Sequence, residues 1–258
     1  MIAFRMALLL AAVPVLAGMT PEVPAGSPAE AGVSTPGKVA LLHGLGLNSS
    51  SLKKVREALK ADGYRVCSLD YPSRGFPIDT LVRRFVRPAL TRCFKDSGSV
   101  DFVTHSMGGI LVRRLSTLPD SSHPLRIGRV VMIAPPNQGS EVVDSMAGSW
   151  LFGGLLDAWG GPAGHELGTD SGSMPRRLTR LGPPAFAFGV IAANKSLDPL
   201  FSEWIAGRDD GKVSVENTKL EGMRDFVEVS SSHTMVLWKD ETVRQVRAFL
   251  KTGRFEHR

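Results

Sequence analysis

The run Thr104-His105-Ser106-Met107-Gly108-Gly109 places a hydroxyl, an imidazole and two glycines where a buried strand hands over to a helix. Ahead of it, Ser99-Val100-Asp101-Phe102-Val103 reads as a short strand, and behind it Ile110-Leu111-Val112-Arg113-Arg114-Leu115 has helical character. A serine on so sharp a turn is held clear of the sheet. It sits above a helix N-terminus whose free backbone N–H groups can stabilise a developing oxyanion. That geometry suits a nucleophile.

A serine hydroxyl is almost inert at neutral pH. It needs a neighbouring base, and the base needs a third group to fix its tautomer and stabilise its charge. Two C-terminal segments offer candidates. Arg208-Asp209-Asp210-Gly211-Lys212-Val213 puts an acid in a tight turn after a strand near residue 190, and Ser230-Ser231-Ser232-His233-Thr234 follows the last strand. The chain order is then Ser106, Asp210, His233. Asp209 stands beside Asp210, and an Asp-Asp-Gly turn can also be a simple polar turn or contribute to a calcium site. His43 and His105 read as structural groups hydrogen-bonded beside the site. His123, His165 and His257 have no neighbours at metal-ligand spacing, so no metal is expected. The glycines of His43-Gly44-Leu45-Gly46 lack a Gly-x-Gly-x-x-Gly or Walker pattern, which argues against nucleotide binding. No cofactor is expected.

The elements that must position these residues alternate along the chain. Lys38–Leu42 is a continuous apolar strand leading into the glycine-rich turn at 43–46. Ser49 or Ser50 can cap a helix running to about Ala61, with Leu52, Val55, Ala58 and Leu59 on its buried face. The pattern predicts a strand over 64–70, a helix over 78–95 kinked at Pro88, a strand over 99–104, a helix over 107–118 and a strand over 126–134. It resumes with strands over 185–192 and Asp225–Val229 and a last helix over about 241–251, carrying Val243, Val246, Phe249 and Leu250 on one face. Apolar runs without strict alternation belong to a sheet covered on both sides. The class is therefore α/β, a doubly wound, mostly parallel sheet with helices on both faces.

The rhythm breaks over 135–184, a glycine-rich stretch with exposed-looking Trp150, Leu151, Phe152, Leu155, Leu156 and Trp159. Loops so long and apolar are uncommon unless they cover a site, and this one begins at the C-terminal edge of a strand. A small cap or lid over about 139–180 is expected; the alternative is an ordinary core helix with loops.

Residues 1–17 carry one charge, at Arg5, and then an apolar run ending in Val15-Leu16-Ala17, which reads as an export signal cleaved near Ala17. A membrane anchor usually needs about 20 apolar residues, and this run is shorter and contains Pro14. Residues 18–37, rich in Pro, Ala, Gly and Ser, read as a flexible linker, leaving 38–258 as one catalytic domain. The expected location is periplasmic or secreted. The two cysteines, Cys67 on the second strand and Cys93 on the second helix, can meet between sheet and helix, either as a disulfide or as two packed thiols. The formal charge of +6 is spread over several basic groups, including Arg113 and Arg114 and the trio Arg176, Arg177 and Arg180. These read as solvated helix faces rather than a nucleic-acid surface, and permit a weak attraction to anionic membranes or substrates.

Together these motifs resemble the α/β-hydrolase superfamily, and within it the bacterial lipase and esterase-like proteins that pair a His-Gly-Leu oxyanion loop with an acidic Asp-Gly turn. The resemblance runs from about Lys38 to the last helix. It implies an α/β-hydrolase fold and a serine esterase or lipase-like activity through an acyl-enzyme, with Ser106 as nucleophile, Asp210 as acid and His233 as general base. The oxyanion hole would be the backbone N–H groups of Leu45 and Met107. One position departs from the usual Gly-x-Ser-x-Gly elbow: Thr104 stands where glycine is common, at a point where helix and strand backbones approach closely. The implied partner is a small-molecule or lipid ester, with transient contact to a membrane surface and no nucleic acid; the oligomeric state is left open. An acyltransferase or lipid deacylase would use the same triad, and a non-catalytic binding protein would keep the scaffold.

Overall fold

The computed structural model describes residues 37–96, 98–119, 125–150 and 152–257. The expected signal, the expected linker up to residue 36, His123 and Leu151 lie outside the described residues.

Strand β1 (Lys38–Leu42) is buried along its whole length. Its side chains alternate between two core layers: Ala40 and Leu42 face one, Val39 and Leu41 the other. A strand covered on both faces has no reason to alternate polar with apolar, and this explains the unbroken apolar run. With β2 (Arg65–Leu69), β3 (Gly98–His105), β4 (Leu125–Ile133), β5 (Phe188–Ala193) and β6 (Asp225–Val229) it forms a parallel sheet in the order β2-β1-β3-β4-β5-β6. All the strands run the same way, so every loop that follows a strand emerges at one edge of the sheet. The order reverses at β1, where crevices form in open α/β sheets.

The first helix is entered by a 3₁₀ turn, Ser49–Leu52, whose cap is Asn48 rather than Ser49 or Ser50: its Oδ1 accepts the Ser50 N–H at 3.0 Å. Asparagine and serine cap about equally well, so the serines next to it carried no contrary signal. Then comes α1 (Lys53–Ala61). The second helical segment is built in three parts: α2 (Ile78–Thr80), a π-helical stretch Leu81–Val86, and α3 (Arg87–Cys93). Pro88 cannot donate to the carbonyl four residues back, and the widened π turn ahead of it is how the chain absorbs that loss, where a plain kink was expected. Cys67 and Cys93 form a disulfide that ties β2 to α3.

After β3 comes α4 (Met107–Ser116). Arg113 on this helix is 2% exposed, not on a solvated face as its neighbours suggested. Helices α5 (Glu141–Ala147), α6 (Gly153–His165) and α7 (Met174–Thr179) fill the stretch between β4 and β5. Helix α6 is broken at Gly161, which takes a positive φ of 56° just before Pro162. Trp150 is 94% exposed, and Leu155 and Trp159 are also exposed. Leu156 is instead fully buried and Phe152 packs edge-on against Trp204, so these two anchor the segment rather than face solvent. Between β5 and β6 lie the short α8 (Pro199–Ser202) and α9 (Val215–Thr218), and α10 (Asp240–Thr252) ends the fold with Val246, Phe249 and Leu250 in the core layer shared with α1. Among the described residues no helix is long and apolar enough to cross a membrane.

Candidate active site

Ser106 sits between β3 and α4 with φ 51° and ψ −124°, a conformation that L-residues avoid unless their surroundings impose it. Its N–H is tied to the carbonyl of Ile133 at 2.9 Å and its carbonyl accepts the Gly109 N–H at 2.9 Å, so the turn is fixed from both sides. Helix α4 presses close to β1: a Cβ on Gly108 would lie 2.6 Å from the carbonyl oxygen of Leu42. Thr104 fits beside this contact because it faces a different glycine, Gly109, whose missing Cβ would stand 3.5 Å from the threonine Oγ1. The close approach is borne by the two glycines after the serine, and the elbow needs no glycine before it.

The three residues expected to act together do meet. Ser106 Oγ lies 2.9 Å from His233 Nε2, and His233 Nδ1 lies 2.7 Å from Asp210 Oδ2. The Asp210 carboxylate is fully buried, and its other oxygen accepts the N–H groups of Lys212 and Val213, both at 2.9 Å. Its own backbone carbonyl accepts the His233 N–H at 2.9 Å, so main chain and side chain of one residue hold the histidine. Since Nδ1 must donate to the carboxylate, Nε2 is left as an acceptor facing the serine hydroxyl. Asp209 points elsewhere: its Oδ1 accepts the Gly211 N–H at 2.7 Å and the Ser202 hydroxyl at 2.9 Å, shaping the turn.

The loop after β1 is pinned by His43, expected as a structural group beside the site, and by Tyr71 and Ser73, whose part the sequence did not disclose. His43, fully buried, stacks on Tyr71 with ring centroids 4.0 Å apart, and its Nδ1 donates to the Gly44 carbonyl at 2.8 Å. The Tyr71 hydroxyl donates to the His43 carbonyl, and Ser73 Oγ accepts the Gly46 N–H at 3.0 Å. Burial pushes the His43 pKa down and the Tyr71 pKa up, keeping both neutral. Between these pins lies the Leu45 amide. It has no backbone acceptor among the described residues, and the Met107 amide is a first-turn helix donor with none within the helix. Tyr71 and Ser73 lie just past a strand end, and only the tertiary fold brings them to the loop 43–46.

His105 was expected to be structural and is: it is 1% exposed, and its Nε2 donates to the His233 carbonyl at 2.9 Å. Burial, aided by the neighbouring His233, lowers its pKa to about 3. His165 and His257 pair with Asp157 and Asp225 on the surface. No cluster of side chains able to hold a metal ion occurs among the described residues.

Above Ser106 and His233 opens a cavity of about 250 Å³. Leu45, Val142, Val143, Met146 and Leu167 give it apolar walls, Trp159 stands at its border, and Lys212 reaches in as its one cationic lysine or arginine side chain. Sequence reading passed over Lys212, whose only signal was a charged residue two positions after the candidate acid.

Comparison with known structures returns the same architecture. A lipase from Bacillus licheniformis in its mature form superposes with a TM-score of 0.64 at 20% identity, over 88% of this chain and 95% of that one. A metagenomic carboxyl esterase gives 0.57 at 21% identity, over 81% and 68%. Phospholipase PlaB from Legionella pneumophila gives 0.58 at 19% identity, over 70% of this chain and 45% of the phospholipase. At such identities the likeness is one of fold. No curated protein matches the sequence. Residues 39–251 match the sequence profile of the alpha/beta hydrolase family, and since that span is most of the chain, the protein belongs to this family.

Proposed function

We propose that the protein is a serine hydrolase that cleaves carboxylic esters through an acyl-enzyme. The observation that carries this reading is the continuous relay from Ser106 Oγ through His233 to the buried Asp210 carboxylate, opening into an apolar cavity. Ser106 attacks the ester carbonyl as His233 Nε2 takes its proton, and Asp210 holds the imidazolium. The Leu45 and Met107 N–H groups receive the oxyanion. Collapse expels the alcohol with the proton from His233, and water repeats the sequence to release the acid.

Wild-type protein is expected to react with a fluorophosphonate probe and to turn over 4-nitrophenyl esters, with both lost in Ser106→Ala. Labelling that persists in the alanine variant would remove Ser106 from the reaction. A well-folded wild type that neither labels nor hydrolyses would instead favour a binding protein on this scaffold.

The exposed Trp150, Leu155 and Trp159 support a further reading, that the segment 139–180 acts as a lid meeting a lipid surface. Activity that rises when the ester passes its micelle threshold supports it, and preference for short monomeric esters counts against it. The Cys67–Cys93 disulfide fits export to an oxidising compartment, and the mass of the protein recovered outside the cytoplasm tests cleavage near Ala17.

A further inference from the structure

The ammonium of Lys212 is placed in an unusual way. It lies over the ring of Phe201, 3.8 Å from the centroid, and 5.4 Å from that of Trp159, so two aromatic faces hold it at the wall of the cavity that contains Ser106. None of the ion pairs among the described residues involves it. The two acids whose fields it feels, Asp198 and Asp210, act on it from a distance and make their hydrogen bonds to other groups. Asp198 caps α8 by accepting the Phe201 N–H, and Asp210 is taken up by His233 and two amides. Burial already draws its pKa below that of a free lysine. Aromatic faces attract a cation but do not neutralise it, and a half-buried ammonium with no carboxylate in direct contact, facing an apolar cavity, has room for an anionic partner at contact distance.

We propose that Lys212 recognises an anionic oxygen function, carboxylate or phosphate, carried by the ester that Ser106 attacks. The inference rests on the ester-hydrolase reading above and adds the substrate class to it. A neutral ester fills the cavity but leaves the ammonium unpaired. An ester with a negative group a few bonds from the scissile carbonyl pairs with it, and the aromatic slot has already fixed the side chain, so little ordering is lost on binding.

Two matched pairs test this and separate the sources of the anion. For a carboxylate on the acyl side, 4-nitrophenyl hemiglutarate is compared with 4-nitrophenyl 5-methylhexanoate. For a phosphate on the alcohol side, 1-decanoylglycerol 3-phosphate is compared with 1-decanoylglycerol. Wild type is expected to favour the anionic member of at least one pair by about tenfold in kcat/KM, the effect of one charge-assisted contact in a partly dry site. Lys212→Met is expected to abolish that ratio and Lys212→Arg to keep it. A wild-type ratio near one in both pairs overturns the proposal whether or not the variants fold. So does a ratio unchanged in Lys212→Met, which would make the lysine a brace between α6 and α8. If no ester is turned over, the hydrolase reading falls by itself. Calorimetric binding of the unreactive ether 1-O-decylglycerol 3-phosphate against 1-O-decylglycerol then still decides whether Lys212 holds an anion.

Discussion

The Nε2 proton of His105 is given to the carbonyl oxygen of His233, 2.9 Å away, so the residue before the candidate nucleophile holds the backbone of the candidate base. Burial keeps the His105 pKa near 3, against the pull of this bond, so the ring is neutral at working pH and its single proton sits on Nε2. In His105→Phe the ring volume is nearly kept and the donor is lost. The expected result is a fall in kcat of about tenfold or more with KM little changed, since a loosened base affects the reaction rather than binding. Stability gives a second readout. The folded-state pKa lies below the unfolded value, so the unfolded chain binds the extra proton between about pH 3 and 6.5. The stability this contributes is complete above pH 6.5 and falls as the pH drops through that window, by on the order of 1 kcal/mol per pH unit. Urea midpoints followed from pH 7 to pH 4 should fall less steeply in the phenylalanine variant; parallel curves would mean that His105 does not titrate as argued.

Gly44 has no room for a side chain. A Cβ there would stand 2.8 Å from His105 Nδ1 and 3.0 Å from Ser106 Cβ, so Gly44→Ala must push the loop 43–46 away from the serine. The Leu45 amide moves with it. If that amide is an oxyanion donor, kcat should fall by about a hundredfold, as when one such donor is removed elsewhere. Circular dichroism should still report a folded domain, and the rate of fluorophosphonate labelling should fall in parallel with turnover.

The adjacent aspartates separate cleanly. Asp210→Asn keeps the shape of the turn but can donate to His233 Nδ1, which turns the imidazole to the wrong tautomer; the expected loss in kcat is about 10⁴-fold. Asp209→Ala removes acceptors for the Gly211 N–H and the Ser202 hydroxyl and should cost about 1–2 kcal/mol of stability, with activity retained to within a few-fold. Paired kinetics and denaturant melts of the two variants would reverse the assignment if the losses fell the other way round.

What the sequence disclosed and what it withheld follow one physical division. Buried parallel strands appear as apolar runs, and the residues after them must emerge at one edge. With the resemblance to α/β-hydrolases, the order Ser106, Asp210, His233 was therefore enough to foresee that they meet. Cys67 and Cys93 were placed on facing elements by periodicity alone, but disulfide and packed thiols look alike in sequence. Contacts between segments far apart in the chain left no local mark. Tyr71 and Ser73 pin the loop at 43–46 across 28 and 27 residues, and Leu156 turns inward because α6 docks on the domain. Arg113 escaped for the same reason, since beside Arg114 it looked like half of a solvated pair.

Arg113 offers the most exacting test of that hidden layer. It is almost wholly buried and has no carboxylate partner among the described residues; its guanidinium donates to the Asn137 carbonyl at 2.9 Å, the Asn137 Oδ1 at 3.2 Å and the Thr179 hydroxyl at 3.0 Å, with a longer contact to the Pro175 carbonyl. Burial brings its pKa down to about 10, so it remains charged at neutral pH. A planar fork of donors joins α4 to the loop after β4 and to α7, and neither an alkyl chain nor a single ammonium can reproduce it. Arg113→Met should leave buried carbonyls unpaired and destabilise the fold by about 2–4 kcal/mol, and Arg113→Lys should recover less than half of this. Asn137 also donates to the Thr218 carbonyl at 2.8 Å, so the disturbance should spread to α9. Hydrogen exchange is the measurement that decides: faster exchange at 137–140 and 174–179 with β1 and β3 unchanged fits a local clamp, whereas uniform acceleration would mean that Arg113 supports the whole domain alike.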